Sequence, residues 1–167
     1  MADYEFDKKN GIIRDKLTGE RCFIVYEPTM EDIFNKLSKI FKSGIAVLLQ
    51  ESSRIGGEHI LDSTGAGAKT NIKRFFSRYT KRFSKVGFGR IEIAEFKPEE
   101  GRIRIRVWNN LFAEMRHGES TYCSYVAGLI SSMYERSLQK APKVKEVKCI
   151  GNGAPYCEFL LTPLQLS

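Results

Sequence analysis

Hydrophobic and polar residues change their spacing several times along the chain, and each change marks an element. Short apolar runs at 11–14 and 22–26 flank a polar turn at 16–19, which predicts a hairpin. Met30, Ile33, Leu37, Ile40 and Phe41 then recur at helical spacing, behind Pro28-Thr29 with Thr29 as the N-cap and ahead of Gly44 as the stop. Ile45, Leu48, Leu49, Ser52, Ile55, Gly56 and His59 fall on one side of a second helix over 45–61, whose small residues permit close packing. The sharpest stripe is Ile72, Phe75, Phe76, Tyr79 and Phe83, a helix over 69–84 with cations on its other side. Two strands follow at 89–96 and 102–108. In the second, Ile103, Ile105 and Val107 alternate with Arg102, Arg104 and Arg106, the pattern of a strand buried on one face, and Glu92 and Glu95 are placed to meet the arginines. A helix over 121–139 turns Val126, Leu129, Ile130 and Met133 inward, with Gly128 allowing close contact. A hairpin of 143–150 and 156–162 completes the order. Strands, helices, hairpin, helix, hairpin predicts an α+β fold with an antiparallel sheet.

The length of 167 residues suits one domain, with 1–27 as its N-terminal strand or hairpin segment and 28–167 as its body. No apolar run approaches the ~20 residues of a membrane span, and the acidic start has no apolar core, so a cytoplasmic protein is expected. The net charge of +7 has a local origin. Lys69, Lys73, Arg74, Arg78, Lys81, Arg82, Lys85 and Arg90 lie in a stretch from Ser63 to Ile91 that has no acidic residue. Lys73, Arg78, Lys81 and Arg82 are expected to be solvated or to face a partner. The aromatics of that helix keep to their own face, as core residues do, which argues against nucleic-acid binding.

Three motifs fail on inspection. Gly65-Ala-Gly-Ala-Lys-Thr70 lacks the glycine spacing of a phosphate loop. Gly87-Phe-Gly89 precedes a strand and lacks the third glycine of a dinucleotide fingerprint. His59 and His117 fit no nucleophile–base pattern, so no catalytic residue is assigned. The cysteines are more informative. Cys123, Cys149 and Cys157 crowd the last quarter of the chain, and with Glu146 they read as four metal ligands. Three thiolates and a carboxylate suit Zn2+ in a closed tetrahedral site. The other reading is three buried cysteines acting as small apolar residues. Glu146 and Cys149 are three residues apart, so a regular strand would send them to opposite faces. They share a metal only if the strand bulges or ends there.

The series Gly87-Phe-Gly-Arg-Ile-Glu92, Val107-Trp-Asn-Asn-Leu-Phe-Ala-Glu114, Cys123-Ser-Tyr-Val-Ala-Gly-Leu129 and Glu146-Val-Lys-Cys-Ile-Gly-Asn-Gly-Ala-Pro-Tyr-Cys-Glu-Phe159 resembles the 4-vinyl-reductase domain family, from about Phe83 to Leu161. The resemblance implies a helical layer on a twisted antiparallel sheet, akin to nitric-oxide-sensor and Golgi-transport folds and often dimeric. It is also similar to the input domain of phenol- and toluene-responsive transcription activators, and this implies zinc at Cys123, Glu146, Cys149 and Cys157. It further implies an apolar or aromatic ligand in a pocket between helices and sheet, near Trp108 and Phe112 and walled by Phe76, Tyr79 and Phe83. The function so implied is a stand-alone small-molecule sensor acting as a homodimer on a protein partner. An enzyme or accessory factor of tetrapyrrole metabolism and a ligand-free scaffold or tethering subunit stand as alternatives. The family name does not imply an activity here, because no hydride-carrying cofactor motif is present.

Overall fold

The computed structural model describes residues 3–64, 71–115 and 122–165. The stretch 65–70 and His117 lie outside the described residues. The chain opens with three antiparallel strands, β1 (Tyr4–Asp7), β2 (Ile12–Asp15) and β3 (Arg21–Cys22). The expected strand over 22–26 is therefore cut short, since β3 pairs only Cys22 with Ile13 and Arg21 with Arg14. Helix α1 (Glu27–Phe41) starts earlier than the Thr29 cap implies. The amides of Thr29 and Met30 already bond to the Tyr26 carbonyl, at 3.0 and 3.2 Å, so Thr29 lies inside the first turn.

A 3-10 turn at Lys42–Gly44 leads into α2 (Ile45–Ser63), and α3 (Ile72–Lys85) follows. Strands β4 (Arg90–Lys97) and β5 (Arg102–Trp108), a single helical turn α4 (Leu111–Glu114), helix α5 (Cys123–Leu138) and strands β6 (Pro142–Lys148) and β7 (Cys157–Pro163) complete the molecule. The second sheet has the order β4-β5-β7-β6 and is antiparallel throughout. The fold is α+β, as the element order predicts.

Ile103, Ile105, Val107, Phe159 and Leu161 line the covered face of this sheet and are fully or almost fully buried. Against them pack Val126, Leu129, Ile130 and Met133 of α5 and the aromatic stripe of α3. Burying each such side chain contributes about 1.5–3 kcal/mol. The buried phenols stay partnered, as burial requires. Tyr79 donates to the Leu129 carbonyl at 2.8 Å, and Tyr134 donates to the Gly101 carbonyl at 2.6 Å.

Helices α2 and α5 meet through glycine. A Cβ on Gly128 would lie 2.1 Å from the Gln50 carbonyl oxygen, and one on Gly57 would lie 2.6 Å from that of Leu129. The inward face of α2 therefore runs through Ile45, Leu49, Ser53, Gly57, Ile60 and Leu61. That is a correction to the expected face, because Leu48 and Ile55 point outward. Contact between the helix backbones at Gly57 and Gly128 sets the rotation of α2. Apolar content alone does not.

The first sheet is held to α3 by charge. Arg82 donates to Asp15 at 2.5 Å and to the Ser63 hydroxyl at 3.1 Å, and Lys85 bonds Asp3 at 2.7 Å. Arg82 is thus a buried ion-pair partner, not a solvated cation. Burial raises the Asp15 pKa, but the Arg82 hydrogen bond and the amides of Leu17 and Thr18 outweigh it and hold it below the ordinary carboxyl range. A cavity of about 500 Å³ lies between this sheet and the end of α3, bordered by Phe6, Ile13, Val25 and Val86. No described helix is long and apolar enough to cross a membrane.

Candidate metal centre

Four donors from three elements converge at one end of the covered sheet face. Cys123 is the first residue of α5, where the partial positive charge of the helix start favours a thiolate. Glu146 stands on β6. Cys149 follows that strand directly, and Cys157 begins β7. The register of β6 against β7 slips between Glu146 and Lys148, and the strand ends at Lys148. The bulge and the strand end together bring Glu146 and Cys149 to the same side.

The donor atoms of all four lie within 4.8 Å of one another. The Cys123 sulfur is 3.7 Å from that of Cys149 and 4.0 Å from that of Cys157. Sulfurs at two corners of a zinc tetrahedron with bonds of about 2.3 Å stand about 3.8 Å apart. The three cysteines are buried and Glu146 is exposed, so the carboxylate closes the solvent side. These four residues lie close enough to hold a metal ion, and a sulfur-rich closed set fits the zinc expectation.

Backbone and side-chain donors surround the sulfurs. After Cys149 the chain makes a tight turn in which Asn152 and Ala154 donate to the Cys149 carbonyl at 3.0 and 3.2 Å. Gly153 takes φ +85°, a backbone conformation that side chains disfavour. The turn aims the Ile150 amide at the Cys157 sulfur, 3.5 Å away. Asn110, fully buried just after β5, donates to Cys157 at 3.3 Å and to Cys123 at 3.7 Å. Its carbonyl oxygen accepts from the Phe112 amide at 3.2 Å and caps α4.

The thiols share their protons unevenly. Cys157 is held below the ordinary thiol range, first by the hydrogen bond from Cys123 and then, against burial, by Ile150 and Asn110. Cys123 is pushed up, chiefly by its bond to Cys157, and Cys149 is pushed up by burial and by the charge of Cys157. A divalent cation bound here would favour the charged form of all of them.

The expected pocket residues separate into two groups. Phe76, Tyr79, Phe83 and Phe112 are buried on the helix side of the sheet. Trp108 is not with them. It shares the outward side of β5 with Arg102, Arg104 and Arg106, lies under the Arg90 guanidinium at 3.7 Å and meets Tyr156 at 5.4 Å between ring centroids. Alternation along β5 requires this, because Val107 points inward.

On the helix side the rings touch one another. Phe112 stacks on Tyr125 at 4.4 Å and meets Phe88 at 5.6 Å and Phe34 at 5.8 Å, while Phe83 meets Phe88 at 5.5 Å. Phe34, Phe88 and Tyr125, not singled out from sequence, complete this cluster. Asn110 was likewise not singled out, since an asparagine after a strand reads as a turn residue. Glu158 was also missed. It pairs with Arg104 at 3.0 Å and Arg106 at 2.8 Å, while Glu95 makes the expected contacts with Arg102 and Arg104 at 3.4 and 3.8 Å.

Comparison with known proteins bears on the same segment. Residues 103–163 match the model of the vinyl-4-reductase domain, and this match contains all four donors. An uncharacterized protein of Methanocaldococcus jannaschii is 30% identical over 122 residues, which are 72% of this chain and 65% of that protein's length. Among solved structures, the phenol-responsive sensory domain of the transcription activator PoxR superposes with a TM-score of 0.77 at 12% identity, over 96% of this chain and 85% of that one. A vinyl-4-reductase family protein from Methanocaldococcus jannaschii superposes with a TM-score of 0.58 at 18% identity, over 86% of this chain and 85% of that one.

Proposed function

Starting from a chain that carries a vinyl-4-reductase domain at residues 103–163, we propose that it is a small-molecule-sensing domain whose Cys123, Glu146, Cys149 and Cys157 hold a structural zinc. The observation that carries this reading is the convergence of these four donors within 4.8 Å inside that segment. Four protein ligands leave no open position, so the metal's part is to pin α5 to the β6–β7 hairpin. Asn110 reaches from the sulfurs to α4 and thereby ties the centre to Phe112.

The proposed ligand is a small apolar or aromatic molecule taken up among Phe34, Phe88, Phe112 and Tyr125. The Tyr125 hydroxyl supplies a polar group in an otherwise apolar wall, and burial raises its pKa. Tyr125 stands two residues after the metal donor Cys123, so a shift of the ring stack moves against a fixed helix start. The likeness in fold to the sensory domain of PoxR, described with phenol, supports this reading. The protein works in the cytoplasm as a homodimer that passes the signal to a protein partner.

Metal analysis of the purified chain tests the centre. About one zinc per chain is expected, and Cys149→Ser is expected to lose it together with thermal stability, while Cys22→Ser keeps both. A ligand at a hundred times its Kd adds about 2.7 kcal/mol of stability. A panel of phenols and larger apolar compounds, read by thermal shift with Phe112→Ala as control, tests the pocket. A ligand-free scaffold is the second reading, favoured by the direct ring-to-ring contacts of Phe112. A panel with no shift at all supports it.

A further inference from the structure

Helix α1 has its apolar stripe turned the wrong way for a monomer. Ile33, Leu37, Ile40 and Phe41 recur at i, i+4, i+7 and i+8, yet Phe34, at the edge of the stripe, is the one residue of the helix that is buried. Ile33 is 45% exposed, Ile40 61% and Phe41 48%. The apolar surface continues beyond the helix. Phe23 and Tyr26 are 82% and 76% exposed just before it, and Val47, Leu48 and Ile55 of α2 are exposed after it. A contiguous run of large exposed apolar side chains marks an interaction surface.

The charges along α1 indicate what covers it. Its first half carries Glu27, Glu31 and Asp32, and its second half carries Lys36 and Lys39, with Lys42 directly after it. A segment that is acidic at one end and basic at the other is complementary to itself in antiparallel orientation. Turning a second α1 about a two-fold axis near residues 36 and 37 sets Ile33 of one copy against Ile40 of the other. The same rotation brings Asp32 of one copy to Lys39 of the other. Antiparallel helices of about 22 Å, packed along such a stripe, are a standard isologous contact.

We propose that the α1 face is the seat of a second copy of this chain, with the two α1 helices antiparallel and Asp32 paired across the axis with Lys39. The pairing names the interface of the homodimer in the functional reading above and rests on that reading. It places the half-buried Met30 and the buried Phe34, which borders the aromatic cluster, beside the partner. Ligand uptake among those rings then alters the dimer contact.

Sedimentation velocity on the full chain tests this. The wild type is expected to sediment at twice the 19.1 kDa chain mass at micromolar concentration. Ile40→Glu is expected to sediment as a monomer that keeps its far-ultraviolet circular dichroism and its zinc. Asp32→Lys and Lys39→Asp are each expected to weaken the dimer at least about tenfold, and combining them in one chain is expected to restore it to within about threefold. The combination reverses the favourable alignment of charge with the helix dipole, so recovery cannot come from helix stability alone. A wild type that is monomeric throughout the micromolar range, whatever else binds the face, overturns the proposal. So does a dimer that survives Ile40→Glu, or a charge swap that recovers nothing. A monomeric wild type that carries zinc fails this proposal and leaves the metal reading standing.

Discussion

From Val126 to Tyr134, every residue of α5 is buried, and Cys123 and Cys157 close the end of that layer with sulfur. From Phe23 to Phe41, one side chain of α1 is buried, and four consecutive large residues before the helix stand in solvent. Both segments are rich in apolar residues, and what separates them is the presence of a mate within the chain. The α5 layer has α2 on one side, where Gly57 and Gly128 let the backbones touch, and the sheet on the other. The α1 layer meets the rest of the molecule mainly through Phe34 and the hydrogen bonds of Asn35 and Ser38 with the Tyr122 hydroxyl, at 2.7 and 3.3 Å. One region is therefore built for rigidity and the other for association, and the aromatic cluster around Phe112 lies where they join.

The largest expected effect tests the closed region. Phe83→Ala removes a fully buried ring and should cost roughly 3–5 kcal/mol in chemical denaturation. Ile40→Ala on the open region should cost a monomeric chain less than about 0.5 kcal/mol. Equal costs would erase the contrast. Next is Gly128→Ala. Its new methyl meets a backbone oxygen that cannot move aside, so the two helices must separate, at about 1–3 kcal/mol.

An intermediate effect concerns pH. The folded Asp15 carboxyl sits below its unfolded value, so its contribution is present above about pH 4 and is lost as pH falls through the folded pKa. Hydrogen exchange at the Leu17 and Thr18 amides, which bond to Asp15, should therefore accelerate at acid pH before exchange within α5 does. Simultaneous acceleration would mean that the first sheet and α5 open as one unit. The smallest effect belongs to the outer sheet face. Trp108 emission should stay constant when a ligand binds among the buried rings, because the sheet lies between them. A large change would move the binding site to the Trp108 side.

How much was legible in the sequence follows from the same contrast. The stripe of α3 and the alternation of β5 could be read directly, because one face of each is buried by the chain itself. The metal donors were legible because cysteine is scarce and its clustering is informative, and the bulge required at Glu146 is present. The face of α2 was misread by one step, since its rotation depends on glycine contacts with α5 that no local pattern reveals. Trp108 was misplaced although its phase could be read. With Ile103, Ile105 and Val107 inward, position 108 has to point out, and analogy with the sensor family overrode that alternation. Asn110 and Glu158 act through partners distant in sequence and carry no local signal.

X-ray absorption at the zinc edge of the purified protein tests the central claim most directly. The account predicts a bound zinc with three sulfur neighbours at about 2.3 Å and one oxygen neighbour at about 2.0–2.2 Å, the oxygen being replaced in Glu146→Cys by a fourth sulfur. A first shell made only of nitrogen and oxygen, or protein that neither carries nor takes up zinc, would contradict it.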